Sequence, residues 1–484
     1  MKSSALLRLA LSAATLFSAC APPNVSLAAP NPAPVAPRPV TRSGTPAPMA
    51  APVTMAAPAS APLSLLVMPR FDSLVPGTPT LDVLMRLQGG ARPEAKRPPL
   101  DLAMVIDRSG SMQGDKIVSA KAAALDLLRA LGPQDRLSLL SYSDGVQVHL
   151  AHCAMDPTGV ALARGHILGI AADGSTALGP AMAMAFETLR GRKEAGSERL
   201  AHVILMSDGI ANVGESRPEV LGALAADAFR GGMSLSTLGV GLDYAEDLMT
   251  TVADQGGGRY HFIKNAVAVA AVLSDELKGL VATVAAQTTI ALALTPGVEV
   301  ARVFGYPTSV EAGRTTIRIG GIGAGVSRDI VVRLALTGPL GKAPATVALG
   351  TFTASFRDVA RDGAAARVDQ TLSVGLTDDA QVAAASERSE VAVRVTEVEA
   401  ADKLTIVARA VEAGDYDEAE EQLVRTIDEL KKERAAMPAA APRIDAQIQG
   451  FEAARGGLGA ARTSHERRRD YIKARKAESY GTQR

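Results

Sequence analysis

The chain of 484 residues carries 51 Lys or Arg and 51 Asp or Glu, so its formal net charge is zero. This balance excludes the strong positive field that would recruit nucleic acid or an anionic membrane surface. Aromatic residues make up only 3% of the chain and Trp is absent, so its cores must consist mainly of Val, Leu, Ile and Ala. The length allows about three domains, and two cysteines are too few for a disulfide framework.

Residues 1–20 have the pattern of a lipoprotein signal peptide. A charged start precedes an apolar stretch, Ala5 to Ala19, of signal-peptide length. The residues Phe17-Ser18-Ala19-Cys20 resemble a bacterial lipobox, which predicts cleavage before Cys20 and lipidation of its thiol. Ordinary cleavage after Ala21 is the alternative and would release a secreted chain. We therefore expect a lipid-anchored protein of the bacterial cell envelope, in the outer membrane or facing the periplasm.

The strands nearest the N-terminus belong to a domain that is completed much later in the chain. Residues 21–62, rich in Ala and Pro, predict an extended linker without a core. Residues 63–97 then hold two strands, which are too few for a stable domain. Residues 285–380 hold further strand-like segments, separated by turn signals such as Gly320-Gly321. We therefore predict one antiparallel β-sandwich built from both parts, with another domain inserted between them.

Residues 98–284 alternate strand-like and helix-like segments, which predicts a doubly wound α/β domain with a mostly parallel sheet. Its first strand, Leu100 to Ile106, is nearly unbroken in apolar character, as expected of a central strand with both faces covered. A helical pattern from Gly114 to Leu131 follows. The polar residues between them lie at the carboxyl end of the strand, where ligands bind in open α/β sheets.

Three polar motifs fall at strand-to-helix junctions of this domain. The motifs are Asp107-Arg108-Ser109-Gly110-Ser111, Asp173-Gly174-Ser175-Thr176 and Ser207-Asp208-Gly209. In the first, one carboxylate and two hydroxyls at a spacing of two can converge on a single cation. All are hard oxygen donors of the kind that suits Mg²⁺ or Mn²⁺.

Together the motifs resemble the metal-ion-dependent adhesion site of the von Willebrand factor type A domain family. The five residues that match the family pattern are Asp107, Ser109, Ser111, Thr176 and Asp208. The resemblance implies a sheet with strand order 3-2-1-4-5-6 and a Mg²⁺ or Mn²⁺ ion held directly by the three hydroxyls. It also implies that the two carboxylates act largely through water and that an Asp or Glu of a protein partner binds at an open position. The insertion in a sandwich is similar to that in bacterial members of the superfamily and in inter-α-trypsin inhibitor heavy chains.

Residues 381–484 change to Ala, Glu and Arg with helical periodicity and predict a helical hairpin or three-helix bundle. The expected helices are Ala384 to Ala413, Tyr416 to Arg434 and Arg443 to Ala477. The cluster Arg467-Arg468-Arg469 predicts a solvated helix end and not a nucleic-acid contact. The predicted fold class is thus a doubly wound α/β domain inserted in an antiparallel β-sandwich, followed by a C-terminal α-helical region.

The residue patterns disfavour other chemistry. His149, His152 and Cys153 lie close together, but no fourth zinc ligand is evident, which predicts a surface cluster. No nucleotide-binding, metalloprotease or serine-hydrolase motif is present, so we expect no enzymatic activity.

These patterns predict an exported, metal-dependent protein-binding or adhesion module. The alternative is an envelope scaffold or assembly factor that binds through its helical C-terminal region, with a structural metal. A hydrolase that uses the metal as a Lewis acid is disfavoured, because the sequence places no general base near the site.

Overall fold

The computed structural model describes residues 61–91, 97–191, 199–311 and 313–484. The predicted signal peptide, its Cys20 and the linker up to residue 60 lie outside these residues. Before the α/β domain, the chain forms three strands: β1 (Leu63–Pro69), β2 (Ser73–Leu74) and β3 (Thr80–Gly89).

The α/β domain alternates strands and helices as the sequence predicts. Its strands are β4 (Leu100–Asp107), β5 (Arg136–Tyr142), β6 (Val146–Ala154), β7 (Leu200–Ser207), β8 (Met233–Val240) and β9 (Gly257–Ile263). Its helices are α1 (Asp115–Ala130), α2 (Pro157–Gly169), α3 (Leu178–Arg190), α4 (Pro218–Arg230), α5 (Glu246–Gln255) and α6 (Val269–Val281).

The sheet of this domain has the order β6-β5-β4-β7-β8-β9, which is 3-2-1-4-5-6 when strands are counted within the domain. This confirms the predicted doubly wound topology. The strands pair in parallel except β6, which is antiparallel to β5. Because β4 and β7 are parallel neighbours, the segments that follow them emerge side by side at the carboxyl edge of the sheet.

The apolar sequence of β4 follows from its position between two helical layers. All eight of its residues are buried. Leu102, Met104 and Ile106 pack into a core shared with α1, α2 and α6. Ala103 and Val105 face the opposite core, which is shared with α3, α4 and α5. A strand covered on both faces has no solvent side, so it shows no alternation of polar and apolar residues.

The remaining strands complete a sandwich with the strands that precede the α/β domain. They are β10 (Thr283–Leu294), β11 (Val298–Val303), β12 (Thr308–Glu311), β13 (Arg314–Gly323), β14 (Ser327–Leu336), β15 (Ala345–Asp358) and β16 (Ala364–Leu376). One sheet has the order β1-β3-β14-β11 and the other β12-β13-β10-β15-β16-β2. Because β3 pairs with β14 from Gln88 to Thr80, the sandwich joins both sides of the insertion.

Two features of the sandwich differ from the prediction. The short strand β2 pairs in parallel with β16, so the second sheet is not wholly antiparallel. Gly320-Gly321 is not a turn but continues β13. Gly320 has φ 93°, and a Cβ there would lie 2.0 Å from the Gly257 carbonyl oxygen of β9. The close approach of the α/β domain therefore requires glycine at this position.

The C-terminal region contains more helices than the sequence predicts. They are α7 (Ala380–Ala385), α8 (Ser389–Ala413), α9 (Tyr416–Ala436), α10 (Ala441–Ala461) and α11 (His465–Gln483). The predicted helix from Ala384 is interrupted before Ser389, and the predicted third helix is two helices. Ser464 begins the second of these, because its Oγ accepts a hydrogen bond from the Arg467 backbone N–H at 3.2 Å. The predicted number of helices was therefore wrong, but α8–α11 share one apolar core, as expected of a bundle.

This helical region packs on both other domains. Val391 and Val395 of α8 bury the outer face of the four-stranded sheet, together with Leu84 and Val331. Helix α11 lies against the α/β domain, where the rings of Tyr480 and Tyr260 meet edge to face at 5.5 Å.

The basic cluster near the start of α11 was also predicted wrongly, because it is not simply solvated. Arg468 Nε donates to the Val411 carbonyl oxygen at 3.0 Å, and Arg469 forms a salt bridge with Asp243. The cluster therefore ties α11 to α8 and to the α/β domain.

Substitutions of two adjacent leucines can test whether β1 belongs to the sandwich. Leu65 is 8% exposed in the sandwich core, whereas Leu66 on the opposite face of β1 is 45% exposed. We expect Leu65→Ala to lower the free energy of unfolding of the sandwich by about 2–3 kcal/mol, because it leaves a cavity. Leu66→Ala is the matched control and should change it by less than about 0.5 kcal/mol. Equal effects of the two substitutions in urea denaturation of the full chain would contradict the observed facing of β1.

Candidate metal centre

Asp107 joins the ends of the three central strands of the α/β sheet. Its side chain is fully buried. Its Oδ1 accepts a hydrogen bond from the Ser109 backbone N–H at 2.8 Å. Its Oδ2 accepts from Ser207 Oγ at 2.8 Å and from the Tyr142 hydroxyl at 3.1 Å. Burial raises the pKa of the Asp107 carboxyl, and the hydrogen bonds from Ser109 and Ser207 oppose that rise.

The other predicted site residues converge next to this carboxylate. Ser109 Oγ lies 3.1 Å from Ser111 Oγ, and Ser111 Oγ donates to Asp208 Oδ1 at 2.8 Å. An added Cβ at Gly209 would lie 3.2 Å from Thr176 Oγ1 and 3.3 Å from Ser111 Oγ. The structure therefore brings the five predicted residues together at the carboxyl edge of the sheet, and Gly209 leaves room for the hydroxyls.

The loop that carries Thr176 is bonded directly to the loop after β4. The Asp173 backbone N–H donates to the Arg108 carbonyl oxygen at 2.7 Å, and the Gly110 N–H donates to the Gly174 carbonyl oxygen at 2.9 Å. These two bonds fix the distance between the first and second motifs. A movement of one loop therefore requires a movement of the other.

Two residues outside the motifs hold the Thr176 loop in place. Asn212 Oδ1 accepts from the Thr176 N–H at 2.8 Å, while the Asn212 N–H donates back to the Thr176 carbonyl oxygen at 3.1 Å. Asp144 Oδ1 accepts from the Ser175 N–H at 2.8 Å. These bonds from Ser175 lower the pKa of the Asp144 carboxyl. The backbone of the loop is thus fixed without using the Thr176 hydroxyl.

Lys116 supplies a positive charge that the sequence motifs do not include. Its Nζ lies 2.6 Å from Asp208 Oδ2. Asp208 is fully buried, whereas the Lys116 side chain is 27% exposed. Each oxygen of Asp208 thus has one partner, Ser111 or Lys116. The ammonium offsets the charge of one of the two carboxylates in the site.

Sequence reasoning missed Lys116, Tyr142 and Asn212. Tyr142 is the last residue of β5 and faces the same edge as the predicted loops, so its place in the topology was a usable signal. Lys116 lies in the first turn of α1. Its distance from Asp208 depends on the direction of a flexible side chain, which no sequence pattern fixes. Asn212 lies in a loop of irregular backbone, for which the sequence shows no periodic pattern.

The donor set fits a hard divalent cation. It consists of two carboxylates and three hydroxyls, which are oxygen ligands of the type that Mg²⁺ and Mn²⁺ prefer. In the described residues, no group of three or more His, Cys, Asp or Glu side chains is arranged to hold a metal ion. A site built mainly from hydroxyls is compatible with that finding, because it uses only two residues of those types.

Of the three residues predicted to form a surface cluster, His152 does not lie at the surface. His152 Nδ1 lies 3.0 Å from Asp101 Oδ2, and its Nε2 lies 2.6 Å from the Thr188 carbonyl oxygen. The His152 side chain is only 8% exposed. Its role is therefore to join β6, β4 and α3, which corrects the prediction of a surface position. His149 instead bonds Ser141, with Nε2 2.7 Å from Oγ.

Comparison with known families identifies the α/β domain. The family model for the von Willebrand factor type A domain matches residues 102–210. This chain contains a von Willebrand factor type A domain. The matched residues include all three polar motifs. Domains of this family commonly mediate protein–protein interaction.

Several curated proteins are similar over this region. An uncharacterized protein of Synechocystis is 30% identical over 206 residues, which cover 42% of this chain and 47% of that protein. YfbK of Escherichia coli is 29% identical over 255 residues, 51% of this chain and 44% of YfbK. The human inter-alpha-trypsin inhibitor heavy chain H4 is 32% identical over 166 residues, 33% of this chain and 18% of the heavy chain. The aligned parts thus span less than half of each relative.

Solved structures share the fold well beyond the matched domain. The von Willebrand factor type A protein from Catenulispora acidiphila superimposes with a TM-score of 0.67 at 19% identity, covering 82% of this chain and 88% of that one. The ArnB paralog VWA2 from Sulfolobus acidocaldarius gives a TM-score of 0.56 at 17% identity, covering 87% and 99%. At these identities the likeness concerns the fold alone.

The Lys116 ion pair can be tested by its contribution to stability. Lys116→Met removes the ammonium and leaves a buried Asp208 oxygen without its partner. We expect the free energy of unfolding of the type A domain, measured by urea denaturation in EDTA, to fall by about 1–3 kcal/mol. Arg129→Met, on the exposed side of the same helix, removes the same charge and should have little effect. If the two variants unfold alike, Lys116 does not stabilise Asp208.

Proposed function

We propose that this chain binds a protein partner through a Mg²⁺ or Mn²⁺ ion held by Asp107, Ser109, Ser111, Thr176 and Asp208. The observation that carries the proposal is the convergence of these five oxygen-bearing side chains at one edge of a type A domain. A bound divalent cation would supply an exposed positive charge for an Asp or Glu carboxylate of the partner. The proposed activity is binding without catalysis.

The residues around the site support this chemistry. Three of the five donors are neutral hydroxyls, so they neutralise little of a cation's charge. Asp107 already accepts three hydrogen bonds, and Lys116 offsets the charge of Asp208. The site therefore keeps a net affinity for anions once a divalent cation is present. This is the electrostatic condition for selecting an acidic residue on the partner.

We further propose that the protein is exported and anchored by a lipid on Cys20. The support is the apolar stretch followed by Ser18-Ala19-Cys20 in the sequence. Among the described residues, no helix is long and apolar enough to cross a membrane.

Thr176→Ala gives the cleanest test of the metal site. The substitution removes a hydroxyl donor, while the backbone bonds to Asn212 that hold the loop remain. We expect the affinity for Mn²⁺, measured by calorimetry or electron paramagnetic resonance, to fall about tenfold or more. Thr188→Ala is the matched control, because the Thr188 hydroxyl donates to the Met184 carbonyl oxygen of its own helix. Asp107→Ala is less suitable, because Ser207 and Tyr142 would lose a buried partner and the fold would be destabilised.

The same variant separates the two candidate modes of binding. Binding of partner proteins from an envelope extract should require Mg²⁺ or Mn²⁺ and be lost in Thr176→Ala. If binding persists in EDTA and in Thr176→Ala, the adhesion-type proposal fails. Binding through the helices α8–α11 would then take its place.

The proposed lipid anchor on Cys20 can be tested separately. Cys20→Ser should move the protein from the membrane fraction to the soluble fraction, because one essential hydrophobic attachment is lost. Unchanged fractionation, or a mature N-terminus located after Cys20, would contradict lipidation. Thr176→Ala should remain in the membrane fraction and serves as the control.

A further inference from the structure

A pocket of about 440 Å³ lies beside the candidate metal centre. Arg108 from the loop after β4 and Ser141 near the end of β5 form one part of its wall. Gln147 and His149 from β6 and His166 from α2 form the rest of its polar lining. All of these positions are near the carboxyl edge of the sheet or the adjoining end of α2. The pocket therefore opens in the region where the candidate metal centre is placed.

Among the described residues, those that line this pocket include no carboxylate, and the side chains of Arg108 and Gln147 supply hydrogen-bond donors. Arg108 carries a fixed positive charge, and its Nε is shielded from solvent without a hydrogen-bond partner in the described part of the chain. The rings of His149 and His166 lie 5.6 Å apart. Burial lowers the pKa of His149, and the charges of His166 and Arg108 lower it further. An anion is the ligand that such a lining lacks.

The backbone of Arg108 links the pocket to the candidate metal centre. Arg108 lies between Asp107 and Ser109, and its carbonyl oxygen accepts from the Asp173 N–H at 2.7 Å. Asp144 is the carboxylate whose charge interacts with Arg108, but its Oδ1 is bonded to the Ser175 N–H in the Thr176 loop. Asp144 is thus bonded to the Thr176 loop, and Arg108 Nε has no hydrogen-bond partner among the described residues.

We propose that this pocket binds a second acidic side chain of the same partner. The partner would then present two carboxylates, one at the candidate metal centre and one at Arg108, His149 and His166. This inference rests on the proposed function and specifies its ligand. A guanidinium suits a carboxylate because it can donate two parallel hydrogen bonds. Requiring two acids at a fixed separation would also distinguish the partner from proteins that carry single exposed acids.

Short synthetic peptides can test the inference without knowledge of the natural partner. One glycine-rich peptide carries a single Asp, and others carry Asp and Glu separated by one to four glycines. Affinities for the full chain are measured by calorimetry in Mg²⁺. We expect one spacing to bind about tenfold tighter than the single-acid peptide. The two-acid peptides have equal charge, so a dependence on spacing cannot arise from long-range attraction alone.

Substitutions in the pocket can show where the second acidic side chain of the peptide binds. Arg108→Gln and, separately, His166→Gln should reduce the advantage of the best two-acid peptide to within about twofold of the single-acid peptide. Arg164→Gln, an exposed position on the same helix as His166 but outside the pocket, removes one positive charge and should keep the advantage. The ring signals of His149 should shift in NMR spectra only with the two-acid peptide.

The outcomes separate this inference from the function on which it rests. If the single-acid peptide binds in a cation-dependent way but no spacing improves on it, the pocket proposal is wrong and the proposed function stands. If inorganic phosphate shifts the His149 signals and the second acid does not, the pocket is an anion site unrelated to the partner, which also overturns the proposal. If no peptide shows cation-dependent binding, both fail together.

Discussion

The buried carboxylate of Asp107 is the interaction on which the candidate site depends. It receives hydrogen bonds from its own loop and from the last residues of the two neighbouring strands. A buried carboxylate left without such partners would cost several kcal/mol, so the ends of β4, β5 and β7 are held in one arrangement. The loops that carry Ser109 and Ser111 begin from that fixed point. The ends of the three strands thus form a rigid base that positions the flexible hydroxyls of Ser109 and Ser111.

The sequence predicted that the loops of the candidate site meet at one edge of the sheet, because the relevant signals are local. The apolar run of β4 requires burial on both faces, and a parallel sheet then places the segments after β4 and β7 together. Two motifs of oxygen-bearing residues lie at those junctions. The third, which carries Thr176, lies in the loop between α2 and α3 and not, as predicted, at a strand-to-helix junction. Together the three motifs were sufficient to predict which side chains meet. The sequence also predicted that the sandwich is divided by the insertion. The two strands before the insertion are too few to form a stable domain, so they were expected to pair with strands after it.

The contacts that were missed depend on tertiary geometry. Lys116 reaches Asp208 across 92 positions of sequence, and its own helix would form equally well with another long polar residue there. The break between α10 and α11 follows from one cap at Ser464, within a stretch whose composition is helical on both sides. The cluster Arg467-Arg468-Arg469 was expected to be a solvated helix end, but Arg468 and Arg469 bond residues that are distant in the sequence, in α8 and in the α/β domain.

Helix α11 also connects the helical region to the neighbourhood of the candidate site. Lys473 Nζ lies 3.6 Å from the centre of the Tyr244 ring, and Arg469 pairs with Asp243 in the same loop. That loop begins after β8 at Gly241, where an added Cβ would lie 3.4 Å from Lys116 Nζ. Lys116 thus lies near the start of this short loop, and α11 contacts Asp243 and Tyr244 within it.

This loop gives a more direct physical connection between the site and α11 than the helix before the sandwich does. The segment Ala266 to Val281 packs against α1 and leads into β10. Its contacts with α1 are mainly apolar, and small shifts of a well-packed apolar face meet resistance from the whole core. The loop after β8 instead joins charged groups by a few polar contacts, whose energies change when a nearby charge changes. The loop after β8 therefore lies between the lysine that pairs with Asp208 and the residues of α11 that contact Asp243 and Tyr244.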